Sequence, residues 1–115
     1  MSFKIKCEEK ENIGVISLEG EVDMFTSPNL REKLLPLFKK NVKGIIVDLA
    51  QVSFMDSSGI ATLVEGLQWS KKNSREFVLT QLGANVKNAL ALTKLDNVFN
   101  IQENTDDAYK TMCKR

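Results

Sequence analysis

The chain has 115 residues, an apolar fraction of 43%, and 16 basic against 15 acidic residues for a net charge of +1. That length and apolar content predict one domain, residues 1–115, with enough core to fold without a disulfide or metal staple. The balanced charge excludes the basic stripe of a nucleic-acid binder, and no run approaches the ~20 apolar residues that cross a bilayer.

Phe3, Ile5 and Cys7 alternate with Lys4 and Lys6, the period of a strand with one wet face. Ile13 to Leu18 reads as its hairpin partner, and Gly20 punctuates the end. Ser27-Pro28 predicts a helix start, with Ser27 as cap and Pro28 in the first helical position. Leu30, Leu34, Leu37 and Phe38 then form one apolar stripe. Pro36 interrupts it, because proline inside a helix deletes a backbone bond and clashes one turn back at ~3 kcal/mol. A bend or early break is expected between Glu32 and Pro36.

Ile45 to Leu49 is a continuous apolar run, the pattern of a strand buried on both faces. A second helix follows from Ser57 along Ile60, Leu63, Val64 and Leu67. Phe77-Val78-Leu79 is a further buried strand after a polar turn at Lys71 to Arg75. Val86, Ala89 and Leu90 mark a short third helix, and Val98 to Ile101 a last strand. Thr105 is the expected cap of a final helix. Asp106 and Asp107 lie in its first turn, and Lys110, Lys114 and Arg115 toward its end, which suits the helix dipole.

The order β-β-α-β-α-β-α-β-α predicts an α/β fold: a mixed sheet of about five strands, mostly parallel with an antiparallel N-terminal edge, packed with about four helices. Ligands and partners of such sheets use the loops at the carboxyl ends of the strands. Glu21 to Ser27 and Ala50 to Ser58 are those loops, expected at one end of the molecule. Cys7 and Cys113 stand far apart, in no metal-like spacing, and read as reduced thiols. The start lacks the apolar core of a secretory leader, so the expectation is a soluble, cytoplasmic chain.

Asp56-Ser57-Ser58-Gly59 places two adjacent hydroxyls where a strand becomes a helix. Orphan N–H groups and the positive end of the helix dipole meet there, so an anionic group is welcome. The chain has no histidine to activate either serine, no Gly-x-Ser-x-Gly elbow and no phosphate-cradling glycine motif. Serine hydrolysis and nucleotide chemistry are therefore disfavoured, and no cofactor or metal is expected. Asp56 or Ser57 suffices to cap the helix, which leaves hydroxyls free for phosphorylation or a ligand. Asp48, at the end of a buried strand, invites a phospho-accepting role. The acidic set that would hold magnesium is incomplete, so bonding to loop amides is the expected use. Met24-Phe25 and Phe54-Met55 read singly as core; beside an exposed helix start they line a partner surface. Trp69 is out of phase with its helix stripe and is expected to be partly exposed.

The stretch Gly44 to Leu49 through Val52-Ser53-Phe54-Met55-Asp56-Ser57-Ser58-Gly59 resembles the signature of the STAS-domain anti-sigma-factor antagonists. Gly20-Glu21-Val22-Asp23 with Leu30-Arg31, and Val86 to Leu95 with Phe99-Asn100-Ile101, extend the resemblance over essentially the whole chain. It implies a bacterial, non-enzymatic switch in transcription regulation. The unphosphorylated form would bind an anti-sigma factor that is also a serine kinase, and so release the sigma factor. The kinase would modify Ser58, and a PP2C-type phosphatase would restore binding. Asp23, Met24, Phe25, Thr26, Ser27, Phe54, Met55, Asp56, Ser57 and Gly59 would form the partner surface, with no nucleic acid or membrane involved. A STAS subunit of a scaffold or transporter complex, with no phospho-switch, is the alternative. Two departures stand out: Lys94, where many members carry glycine, and Pro36.

Overall fold

The computed structural model describes residues 3–114. Met1, Ser2 and Arg115 lie outside these, and with them the expected position of Arg115 at the end of the last helix. The elements follow the expected order: β1 (Lys4–Lys10), β2 (Ile13–Val22), α1 (Ser27–Lys39), β3 (Gly44–Met55), α2 (Ser57–Asn73), β4 (Glu76–Thr80), α3 (Ala84–Leu92), β5 (Asn100–Gln102) and α4 (Thr105–Cys113). The five strands form one sheet in the order β1-β2-β3-β4-β5. β1 and β2 pair antiparallel, and every other neighbour is parallel. Glu11 and Asn12 close the hairpin with φ of 52° and 65°, the primed turn that matches strand twist.

The period-two pattern of the central strands divides the core. Ile16 and Leu18 of β2, Ile45, Val47 and Leu49 of β3, and Phe77 and Leu79 of β4 join one cluster with Leu30, Leu34 and Leu37 of α1, Ile60 and Leu63 of α2, and Val86 and Leu90 of α3. Ile13, Ile46 and Val78 point the other way and meet Ala108 and Met112 of α4. The apolar run of β3 is thus explained by helices on both faces of the sheet. Burying one such side chain contributes about 1.5–3 kcal/mol.

Several local expectations are corrected. α1 runs unbroken through Pro36 to Lys39. Pro36 is exposed, and only Leu37, Phe38 and Lys39 of the helix follow it, so the lost bond falls near an end that frays anyway. Ser27 is not the cap of α1; Thr26 holds that position, and Ser27 is buried inside the first turn. Likewise Asn104, not Thr105, caps α4, accepting from the Asp107 amide at 3.0 Å. Thr105 instead pairs its hydroxyl with Thr80 at 2.6 Å. The polar turn at Lys71 to Arg75 is shorter than expected, since α2 reaches Asn73 and Ser74 turns left-handed at φ 55°. The last strand begins at Asn100, leaving Val98 and Phe99 ahead of it. Lys94 has φ 61°, the left-handed region that favours glycine.

Candidate functional site

The two loops do meet at one end of the sheet, but they are shorter than the sequence suggests. β3 continues past Leu49 to Met55, and β2 to Val22, with Glu21 opposite Phe54 and Val22 opposite Met55. What remains of the first loop is Asp23 to Thr26; of the second, Asp56 alone. The Asp56 amide donates to the Val22 carbonyl at 3.0 Å, which fixes the start of α2 against the end of β2.

Asp56 organises the tip. One of its carboxylate oxygens accepts from the Ser58 amide at 2.9 Å, the Gly59 amide at 3.2 Å and the Ser58 hydroxyl at 2.6 Å. The amide bonds make Asp56 the cap of α2, and its backbone is extended as capping requires. Burial pushes the Asp56 carboxyl upward, but the bonds from the Ser58 hydroxyl and the Gly59, Ser58 and Met24 amides outweigh it and hold it below its ordinary value. The carboxylate is therefore the settled state at neutral pH. Two of the N–H groups that an anion would seek at this helix start, those of Ser58 and Gly59, are already committed to it.

Ser57 is exposed and Ser58 half-buried. Gly59 is buried because nothing larger fits: a Cβ there would lie 2.7 Å from Met55 Cγ and 2.8 Å from Val22 Cγ1. Gly59 is thus a packing residue under the tip.

The first loop is built by Asp23. Its carboxylate accepts from the Phe25 amide at 2.9 Å and the Thr26 amide at 3.1 Å. Thr26 closes the ring: its hydroxyl donates to the Glu21 carbonyl at 2.8 Å and accepts from the Asp23 amide at 2.9 Å. Aspartate bonding its own backbone is a standard turn device, and here it throws two apolar side chains outward. Met24 is 67% exposed and Phe25 82%. Phe54, at the adjacent end of β3, is 45% exposed. Met55 is not part of this surface; it is 3% exposed and belongs to the core. Ser27 is also buried, and its amide donates to the Asp23 carbonyl at 2.7 Å. The two apolar pairs therefore divide, three side chains outside and one inside.

The helices that begin at this end are tied together further along, where Arg31 of α1 donates to both carboxylate oxygens of Glu65 of α2 at 3.0 and 3.1 Å. No role for Trp69 is legible in the sequence. In the fold it is half-buried, stacks on Phe38 with centroids 5.0 Å apart, and donates its indole N–H to the Phe38 carbonyl at 3.0 Å. Asp48 accepts from the Ala50 amide at 3.0 Å, but Ala50 lies within β3 and not in the expected loop; Asp48 also accepts from the Gln81 side chain at 3.1 and 3.0 Å. Cys7 and Cys113 are free thiols. Among the described residues no acidic or thiol cluster could hold a metal ion, and no helix is long and apolar enough to cross a membrane.

Against known proteins this architecture is familiar. The anti-sigma-B factor antagonist of Staphylococcus aureus (strain NCTC 8325 / PS 47) is 26% identical over 106 residues, covering 92% of this chain and 98% of that one. The crystal structure of an anti-sigma factor antagonist from Mycobacterium paratuberculosis superposes with a TM-score of 0.86 at 26% identity, over 96% and 94% of the two chains. The Bacillus cell fate determinant SpoIIAA in its phosphorylated form, at 20% identity, shares the fold with a TM-score of 0.74 over 96% and 98%. The family model for the STAS domain matches residues 4–108, and the chain belongs to that family.

Proposed function

We propose that this protein is an anti-sigma factor antagonist, a regulatory binding protein whose unphosphorylated form docks on an anti-sigma factor that is also a serine kinase. Phosphorylation of Ser58 switches docking off, and a PP2C-type phosphatase restores it. The carrying observation is the meeting of two segments at the start of α2: the Asp56 amide bonds the Val22 carbonyl, a half-buried Ser58 follows, and Met24, Phe25 and Phe54 are exposed on the chain either side of that bond. Aromatic and Met side chains at a surface are the chemistry of a protein interface. The relatives named as antagonists, matched over nearly their full length, point the same way.

The switch follows from electrostatics. A phosphoryl group adds about −1.5 to −2 charge at pH 7. In the docked state that charge would be enclosed by apolar side chains and would lose its water. A loss of ~3 kcal/mol there weakens binding more than a hundredfold. Intact-mass analysis of the chain with the kinase and ATP tests the reading. We expect one added phosphoryl group on the native chain and none on Ser58→Ala, which should bind the kinase and stay bound in ATP. Stoichiometric modification of Ser58→Ala would overturn the assignment of the acceptor. Stable binding with no modification of the native chain would overturn the switch and leave a constitutive scaffold.

A further inference from the structure

Two serines stand side by side at the tip, and exposure favours Ser57, which is the more open. Exposure alone would make Ser57 the acceptor. The hydrogen bonds separate them differently. The Ser58 hydroxyl donates to Asp56 Oδ1 at 2.6 Å, and that same oxygen is anchored by the Ser58 and Gly59 amides at 2.9 and 3.2 Å. A hydroxyl held by a fixed, charged acceptor keeps one orientation, with its lone pairs facing away from the bond. The other carboxylate of this end, Asp23, is bonded to the Phe25 and Thr26 amides of its own loop.

We propose that Asp56 is a positioning residue of the substrate itself, which aims the Ser58 oxygen at the incoming phosphorus and so directs the kinase to Ser58 rather than Ser57. This rests on the function proposed above. In the transfer, Ser58 Oγ forms a bond to the γ-phosphorus of ATP. The bond from that phosphorus to the β,γ-bridging oxygen breaks, and ADP leaves with the electron pair. The Oγ proton passes along the existing hydrogen bond to Asp56 and from there to water. The transition state of phosphoryl transfer is loose, so alignment of the attacking oxygen matters more than early removal of its proton. The carboxylate holds the Ser58 hydroxyl until that proton moves, which keeps the attacking oxygen aligned.

Asp56→Asn keeps the cap, because asparagine caps a helix as well as aspartate does, but replaces the charged acceptor with a weaker neutral one that cannot take up the proton. Phosphorylation kinetics with the kinase and ATP, together with fragment mass analysis of the product, provide the readout. The variant should keep KM for the chain within about threefold, lose about tenfold or more in kcat, and yield a product with a raised share of phosphate on Ser57. Asp56→Ser, which also caps and also lacks the carboxylate, should behave alike if the asparagine variant fails to fold. A native chain modified at Ser58, with both variants modified at the same rate and the same residue, would overturn the positioning role and leave the proposed function standing. A native chain modified at neither serine would overturn both.

Discussion

A Cβ on Gly59 would sit 2.8 Å from Cγ1 of Val22, so the start of α2 and the end of β2 are separated by one hydrogen atom's worth of space. The site stands on that contact. Gly59→Ala must push the tip away from β2, since the Val22 carbonyl, 3.2 Å off, offers no flexible end to yield. The substitution should destabilise the chain by about 1–3 kcal/mol in a urea melt, despite the better helix propensity of alanine. It should also weaken partner binding by displacing both serines.

Asp56→Ala removes the cap. The expected loss is ~1 kcal/mol at neutral pH. The sign of its pH dependence follows from the lowered carboxyl pKa, set by burial on one side and by the stronger hydrogen bonds on the other. A group whose pKa is lower folded than unfolded contributes stability above the unfolded value, here about 3.9, and loses it as pH falls through the folded one. Urea melts of native chain and variant should therefore stay apart from pH 5 upward, begin to converge below about pH 3.9, and meet only once pH has fallen through the lower folded value.

Phe25→Ala should leave folding almost untouched, within about 0.5 kcal/mol, because the side chain is 82% exposed. Binding to the anti-sigma factor should fall by tenfold or more, about 1.4 kcal/mol, as expected of an aromatic anchor. Calorimetric titration beside a thermal melt separates the two effects.

Much of this was legible in the chain. The alternation of Ile16 and Leu18 with Ser17, and the run Ile45 to Leu49, predict strands because period and length are set by which faces are covered. The length of β3 was not legible. Beyond Asp48 it has lost β4 and pairs only with β2, so Gln51, Ser53 and Phe54 face water and look like a loop. The caps were misplaced by one residue at α1 and α4, where serine or threonine neighbours a second good capping residue and tertiary contacts decide. At α1 burial claims Ser27; at α4 the Thr80 hydroxyl claims Thr105. The site was legible as a cluster of residue types, but not its internal order. Nothing in Asp-Ser-Ser-Gly says which serine meets the carboxylate.

Phosphorylation of Ser58 should carry a modest cost for the domain itself. The new charge lies beside a carboxylate that already holds the Ser58 and Gly59 amides, so one anion must yield. Displacement of the cap at ~1 kcal/mol should lower the melting temperature by about 4 °C. Amide exchange should quicken in the first turn of α2 and remain unchanged in β3 and β4.

The most direct measurement is the dissociation constant of the anti-sigma factor for the unmodified chain and for the chain stoichiometrically phosphorylated on Ser58, in the same buffer. Phosphorylation should weaken binding by about a hundredfold or more while the far-ultraviolet spectrum stays the same. Equal affinity for the two forms would contradict the switch.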